Sequence, residues 1–316
     1  MPFASSLSRV SVLYSALSLF LRLDFFNICS HNVAVLGAPV KRIQYGQEVR
    51  VAKRMQYVAR IVSTGKNRDT YNCGGTLISK DVILSAAHCF YNDTGELEVT
   101  GIQVYIRGYS QDGYTRGFMA DGVMKPSIYN PDENDGTMVG DIALVHLKNT
   151  SRNPNYYVEP VQLASGDGNS NIRRSKITEN AGMFIIAGYG ETEDDDYSAD
   201  LLFASVPYVS RKAAQVFLDE NDLGQMEKDH FGAGYDEESQ ESCQGDSGGP
   251  LIIPGKTSWG NVGVKGVSSD VQVGVASYGA DVECGEVGTV GFYTNVTRWY
   301  DWIQDTIRAG TYDSLK

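Results

Sequence analysis

The sequence predicts an all-β domain that ends in a helix. Short runs rich in Val, Ile, Tyr and Leu, separated by Gly, Asn and Asp, recur from about residue 43 onward. This pattern is typical of a β-sandwich or a β-barrel. The regular alternation of strands and helices that indicates a parallel α/β sheet is not apparent. The predicted strands are Gln56–Ser63, Thr76–Ser79, Val82–Ser85, Val104–Arg107, Ile142–Leu147, Met183–Ala187, Pro250–Ile253 and Gln272–Ser277.

The C-terminal segment Thr297–Ala309 predicts the helix. Its apolar residues Trp299, Trp302, Ile303 and Ile307 recur at helical spacing, so they share one face. We expect that face to anchor the helix to the core.

Composition limits the classes of function. The chain has 316 residues, of which 42% are hydrophobic, enough for a large core in one or two domains. Acidic side chains outnumber basic ones by 39 to 27, and the formal net charge of −12 argues against nucleic-acid binding, which needs a basic face. A polar, glycine-containing stretch at 164–180 predicts a boundary between two halves, about 43–170 and 171–316.

The N-terminal segment reads as a targeting sequence. Arg9 precedes the apolar run Val10–Leu21, which as a helix would cover about 18 Å and is too short to span a bilayer roughly 30 Å thick. We therefore expect a signal peptide at 1–30, a propeptide at 31–42 and a secreted, extracellular protein without a membrane anchor. A buried helix and a wrongly assigned gene start are the alternatives.

The five cysteines fit a secreted domain if Cys29 is lost with the signal peptide. The other four suggest two disulfides, although their spacing alone allows three pairings. Asn-X-Ser/Thr sequons at Asn92, Asn149 and Asn295 agree weakly with a secreted glycoprotein.

Three short segments contain residues that could carry chemistry, namely SAAHC around His88, DIAL at Asp141 and GDSGGP around Ser247. Each has an ordinary structural interpretation: a satisfied histidine, a turn or cap aspartate, and a loop serine. Taken together they supply a nucleophile, a base and an acceptor that orients the base, as amide hydrolysis requires. Their order along the chain, His, Asp and then Ser, is that of one group of serine hydrolases.

Residues 43–308 resemble the trypsin/chymotrypsin family of serine endopeptidases. The resemblance rests on CGGTLI at 73–78, SAAHC at 85–89, DIAL at 141–144, GYG at 188–190, ESCQGDSGGPL at 241–251 and GFYTNV at 291–296. It implies two packed antiparallel six-stranded β-barrels followed by a C-terminal helix, with a trypsin-like peptidase domain at 43–316.

The same resemblance implies a role for each motif residue. Ser247 would be the nucleophile, His88 the general base and then acid, and Asp141 the carboxylate that orients His88. The backbone N–H groups of Gly245 and Ser247 would form the oxyanion hole. Ser277 would support Asp141 and offer backbone bonds to the substrate.

The resemblance also implies two disulfides, Cys73–Cys89 and Cys243–Cys284. A further bridge that is common in the family is missing, because the stretch 230–234 reads HFGAG. We therefore expect a more mobile loop there.

Activation would follow cleavage after Arg42, and the new α-ammonium of Ile43 would pair with Asp246 as a switch. Arg60-Ile61 is the alternative cleavage site, but it leaves too few residues before Cys73 and would remove a predicted strand. The sequence departs from the family after Ile43, where Gln44-Tyr45-Gly46 replaces the usual start. A solvated basic pair at 41–42 is the other interpretation.

Specificity would depend on Glu241, at the place where trypsin-like members carry Asp. Its carboxylate favours Arg or Lys in the substrate through charge-assisted hydrogen bonds, although the extra methylene weakens this expectation. A solvent-exposed acid is the alternative for Glu241. The resemblance assigns the other substrate-binding positions to Ser242, Ser277, Tyr278, Gly279 and Gly291.

We expect a monomeric protease that acts on proteins or peptides, with an activating protease and protein inhibitors as partners and without a metal or other cofactor. Two alternatives remain open at this stage. One is a catalytically silent protease-like binding or inhibitor protein, and the other is an interaction module whose zymogen is never activated.

Overall fold

The computed structural model describes residues 47–49, 54–106, 116–132, 137–148, 158–165, 183–191, 197–221, 223–234, 242–255, 270–279 and 288–315. Strands dominate this part of the chain, in agreement with the sequence-based prediction. They are β1 Gln47–Glu48, β2 Val58–Gly65, β3 Thr70–Leu77, β4 Val82–Ser85, β5 Val99–Ile106, β6 Arg116–Met124, β7 Asn130–Asp132, β8 Thr137–Val139, β9 Ala143–Leu147, β10 Gln162–Leu163, β11 Met183–Gly188, β12 Leu202–Val209, β13 His230–Gly234, β14 Pro250–Ile253, β15 Val271–Tyr278, β16 Val290–Asn295 and β17 Asp313–Ser314.

The first barrel is built from six antiparallel strands in the order β6-β5-β2-β3-β4-β9, and pairing of β6 with β9 closes it. Its strands follow the alternation expected for a half-buried sheet. In β2, for example, Ile61 is fully buried while its neighbours Arg60 and Val62 are partly exposed. The inward side chains of all six strands fill the barrel and form its core.

The second barrel contains strands β12-β11-β14-β15-β16-β13 in that order, and pairing of β12 with β13 closes it. Short strand β1 adds to this barrel beside β12, although it precedes the whole first barrel in the chain. The prediction of two closed six-stranded barrels is therefore confirmed. In both barrels the closure leaves no long open edge among the six strands.

The C-terminal helix is confirmed as Val296–Ala309. Asn295 caps its N-terminus by accepting a hydrogen bond from the Thr297 N–H, and Gly310 ends it with a left-handed φ of 62°. Ile303 is fully buried on the predicted face. The chain then returns to the first barrel, where β17 pairs with β6.

A second helix, Arg211–Glu220, was not predicted from the sequence. Ser210 caps it by accepting from the Ala213 N–H. Only Ala214 and Leu218 are buried, and so narrow an apolar face gives a weak periodic signal.

The stretch His230–Gly234 is likewise not the loop that the missing cysteine suggested. It forms strand β13, in which every residue is buried, between β12 and β16. Apolar contacts with the Arg211–Glu220 helix hold this side of the barrel, since Ala214 and Leu218 pack with Val290 and Phe292. Among the residues that the structure describes, no helix is long and apolar enough to span a membrane.

Candidate active site

His88 and Asp141 are brought together by the pairing of two strands of the first barrel. His88 lies in a 3₁₀ turn, Ala87–Cys89, just after β4, and Asp141 lies just before β9. Because β4 and β9 are antiparallel, with Ser85 opposite Ala143, the residue after one strand meets the residue before the other.

Two hydrogen bonds join the pair. The His88 N–H donates to Asp141 Oδ1 at 3.0 Å, and His88 Nδ1 lies 2.8 Å from Asp141 Oδ2. The Asp141 side chain is completely buried, whereas 24% of the His88 side chain is exposed. Nδ1 is therefore bound to the carboxylate, which leaves Nε2 as the imidazole nitrogen that is not engaged by Asp141.

Each residue controls the ionisation of the other. Burial alone lowers the pKa of His88, but the charge and hydrogen bond of Asp141 outweigh it and raise that pKa above the usual 6.5. Burial alone raises the pKa of Asp141, but the charge of His88 and hydrogen bonds from His88 and Ser277 bring it below the usual 3.8. Asp141 is thus a carboxylate at neutral pH.

Ser247 comes from the second barrel, in the turn that leads into β14. Its carbonyl oxygen accepts a hydrogen bond from the Gly74 N–H at 2.7 Å and lies 3.7 Å from Cys89 Sγ. Cys89 follows His88 directly and is disulfide-bonded to Cys73. These contacts hold Ser247 beside the turn that carries His88, at the junction of the two barrels.

The approach of the barrels at this point requires glycine at position 74. A Cβ atom there would lie 2.8 Å from Gly249 Cα, which is part of the serine turn. Gly245 has a φ of +88°, a left-handed conformation that favours glycine. The ring of Tyr197 lies against Gly245, because a Cβ atom on Gly245 would be 2.7 Å from Tyr197 Cε1. Tyr197 was not among the predicted site residues.

Ser277 lies near the end of β15 and reaches Asp141 from the second barrel. Its hydroxyl donates to Asp141 Oδ2 at 2.5 Å. Tyr278 follows, and its ring stacks on that of Phe292 with centroids 4.7 Å apart. Gly291 lies on the neighbouring strand β16, and Gly279 follows β15 at an exposed position.

Ser242 and Asp246 lie in the segment that immediately precedes Ser247. The Ser242 hydroxyl is 3.4 Å from the hydroxyl of Tyr293. The Asp246 carboxylate is buried and accepts hydrogen bonds from the Gly190 N–H at 2.8 Å and the Cys243 N–H at 3.1 Å. Burial raises the pKa of Asp246 to about 6, although these two hydrogen bonds, taken alone, would lower it.

Several predicted residues lie outside the described ranges. They are Arg42, Ile43, Glu241 and Cys284. Cys243 is disulfide-bonded. The rejected alternative cleavage site, Arg60-Ile61, lies inside strand β2.

Sequence reasoning also missed three polar residues behind Asp141, namely Asp229, His230 and Thr294. The Thr294 hydroxyl donates to the Asp141 carbonyl oxygen at 2.7 Å, and the Gly140 N–H donates to Asp229 Oδ2 at 2.9 Å. Thr294 is part of the GFYTNV segment at 291–296 and His230 opens the stretch 230–234, but neither segment indicates a contact with Asp141. In the part of the chain that the structure describes, the one cluster with metal-ligand residue types is Cys73, His88 and Cys89, and its two sulfurs are already joined in a disulfide.

The amino-acid sequence of this chain matches known proteins over most of its length. The trypsin family model covers residues 43–303. The chain belongs to the trypsin family. Among the trypsin-like proteins similar to it, serine protease grass of Drosophila melanogaster is 30% identical over 279 residues, which is 85% of this chain and 68% of that protein. Human serine protease 41 is 29% identical over 77% of this chain and 71% of its own length.

Clotting factor C of Tachypleus tridentatus is 27% identical over 74% of the chain, and the match spans only 22% of that longer protein. The solved structure of HL collagenase has a TM-score of 0.64 and 21% identity, over 85% of this chain and 99% of its own. This last likeness supports the trypsin fold alone. Together the comparisons place the chain in the trypsin-like serine protease family.

Proposed function

We propose that this protein is an active serine endopeptidase in which Ser247, His88 and Asp141 form the catalytic triad. The observation that carries the proposal is the 2.8 Å contact of His88 Nδ1 with the buried Asp141 carboxylate, in a turn that contacts Ser247. A histidine bound in this way through Nδ1 has Nε2 available as the base.

The proposed reaction uses the three residues in turn. His88 Nε2 takes the proton of the Ser247 hydroxyl as its oxygen attacks the scissile carbonyl carbon, and the Asp141 carboxylate stabilises the imidazolium that results. The Gly245 and Ser247 N–H groups stabilise the oxyanion, and His88 then protonates the leaving amine. Water repeats the sequence on the acyl-enzyme and releases the second product.

We further propose that the protein is secreted as a zymogen and activated by cleavage after Arg42. Asp246 supports this step, because it is a buried carboxylate whose described hydrogen bonds come from neutral backbone groups. The new Ile43 ammonium would supply a positive charge for it and order the adjacent oxyanion turn.

Covalent labelling tests the activity. The cleaved protein is treated with a fluorophosphonate probe beside the uncleaved chain and a cleaved Ser247→Ala variant. We expect strong labelling of the cleaved wild type, weak labelling of the uncleaved chain and no labelling of Ser247→Ala. A cleaved wild type that stays unlabelled would refute the enzyme and leave a protease-like binding protein.

We propose that cleavage follows Arg or Lys, because Glu241 would place a carboxylate at the base of the substrate pocket next to Ser242. A peptide library tests this preference in wild type and in Glu241→Gln. We expect the variant to lose about 30-fold or more of its selectivity for basic residues, since removing one partner of a desolvated charge pair is costly. Preferred cleavage after another residue by the wild type contradicts the assignment.

A further inference from the structure

A second histidine lies behind the Asp141 carboxylate, and the reaction above does not use it. His230 is in β13, and its side chain has no exposed surface. Its Nδ1 lies 3.1 Å from Asp229 Oδ1. Its Nε2 lies 3.2 Å from the hydroxyl oxygens of both Ser277 and Thr294. These are the two hydroxyl groups that bind Asp141.

The direction of each hydrogen bond follows from counting protons. Ser277 donates its single hydroxyl proton to Asp141 Oδ2, and Thr294 donates its own to the Asp141 carbonyl oxygen. Neither hydroxyl has a second proton to give to His230, so both can only accept from it. Nε2 of His230 therefore carries a proton.

The other ring nitrogen faces an acceptor as well. Burial alone raises the pKa of Asp229, but the hydrogen bond and charge of His230, with bonds from Gly140 and Trp299, bring it below 3.8. Asp229 is thus a carboxylate that can only accept, and its Oδ1 holds the Nδ1 edge of the His230 ring. Both ring nitrogens of His230 therefore face hydrogen-bond acceptors.

The Asp229–His230 pair holds Asp141 from two directions. Through His230 it reaches the hydroxyl groups that bind the carboxylate and the carbonyl of Asp141. Through Asp229 Oδ2 it binds the N–H of Gly140, the residue immediately before Asp141. The same oxygen accepts from Trp299 Nε1 on the C-terminal helix at 3.1 Å, which ties the pair to the rest of the fold.

We propose that His230 is a positioning residue of the catalytic site: held by Asp229, it donates to the hydroxyl oxygens of Ser277 and Thr294, keeps their protons directed at Asp141, and so fixes the carboxylate that orients His88. This role rests on the proposed endopeptidase function. The bonds run in one chain from Asp229 through His230, Ser277 and Asp141 to His88.

Two matched variants of the cleaved protein test the donor at Nε2. His230→Gln keeps an N–H donor near the Nε2 position, whereas His230→Asn keeps one only near Nδ1. We expect His230→Asn to lower kcat/KM by about threefold to tenfold, as for one lost hydrogen bond, and His230→Gln to retain more activity.

Equal losses of kcat/KM in the two variants would show a structural role and overturn the proposal. Failure of the wild type to react with the fluorophosphonate probe instead refutes the endopeptidase function. The two failures are thus distinguishable.

Nitrogen-15 NMR of the full-length Ser247→Ala chain provides a test that does not need a folded His230 variant. The chain has four histidines, which keeps the assignment of their signals simple. We expect Nε2 of His230 to carry a proton and to donate to the Ser277 and Thr294 hydroxyl oxygens. An unprotonated Nε2 would reverse the hydrogen bonds to Ser277 and Thr294 and overturn the proposal.

Discussion

Asp141 is a fully buried carboxylate that receives hydrogen bonds from both barrels. His88 of the first barrel binds both of its oxygens, and Ser277 of the second barrel binds Oδ2. This geometry permits one arrangement of the imidazole, with Nδ1 toward Asp141. The carboxylate also raises the pKa of His88 above 6.5, and so affects the pH range in which His88 can serve as the proposed base.

An Asp141→Asn variant tests this dependence in the cleaved protein. The amide keeps the shape of the side chain but removes the charge, so burial should lower the pKa of His88. We expect kcat to fall by about 10⁴-fold because the wrong tautomer is held, with the acid limb of kcat/KM displaced to lower pH. The pH–rate profile and active-site titration measure both effects, and an unmoved acid limb would contradict the electrostatic role of Asp141.

Among the secondary-structure elements, the C-terminal helix connects the two barrels. It follows β16 of the second barrel, and β17 beyond it pairs with β6 of the first. Ile303 is completely buried in the core, and the side chains of Trp299, Trp302 and Ile307 pack partly buried against it. The helix therefore contributes through its packed face more than through intrinsic helix propensity.

An Ile303→Ala variant measures that contribution. Removing a fully buried isoleucine side chain and leaving a cavity should lower the free energy of unfolding by about 2–5 kcal/mol. Arg308→Ala is the matched control on the same helix, since its side chain is 76% exposed, and it should change stability by less than about 0.5 kcal/mol. Urea denaturation of the two variants gives the comparison, and equal effects would contradict the packing argument.

The elements that the sequence predicted well are short apolar runs bounded by turns. Val82–Ser85 and Pro250–Ile253 have the predicted limits as β4 and β14. The strand β6, Arg116–Met124, was missed because glycine and charged residues interrupt its alternation. The local sequence pattern therefore predicts buried strands, but it does not predict strands that are stabilised mainly by packing against neighbouring strands.

The same distinction holds in the candidate site. His88, Asp141 and Ser247 lie in sequence motifs and could be predicted before the structure was known. The approach of His230 to Asp141 could not, because it depends on the register that places His230 opposite Thr294 in the pairing of β13 with β16. Residues brought together by such a long-range register leave no local pattern in the sequence.

At the scale of the whole molecule, the junction of the barrels combines groups that neither barrel supplies alone. His88 and Asp141 come from the first barrel, and Ser247 and Ser277 come from the second. Any change that shifts the barrels relative to one another therefore changes the distance between His88 and Ser247, the proposed base and nucleophile. Asp246 immediately precedes Ser247, and its buried carboxylate is bound to Gly190 of the same barrel, so a change of charge around this carboxylate would act on the serine turn.

Asp246 also links the stability of the whole domain to pH. Its pKa is about 6 in the folded uncleaved chain, against the usual 3.8. The folded state therefore holds this proton more tightly than the unfolded state, and stability from this group falls as pH rises from about 4 to 6. The shift corresponds to about 3 kcal/mol.

The test compares the unfolding free energy of the inactive Ser247→Ala protein with that of the same protein carrying Asp246→Asn. We expect the stability advantage of the protein that keeps Asp246 to decrease as pH rises over that range. After cleavage at Arg42 the Ile43 ammonium should lower the pKa of Asp246, so the decrease should disappear or reverse. Urea denaturation from pH 4 to 8 measures both states, with Asp305→Asn as the control at a carboxylate that is 69% exposed. Identical pH dependence before and after cleavage would mean that the new N-terminus does not reach Asp246, and the activation switch would then have to lie elsewhere.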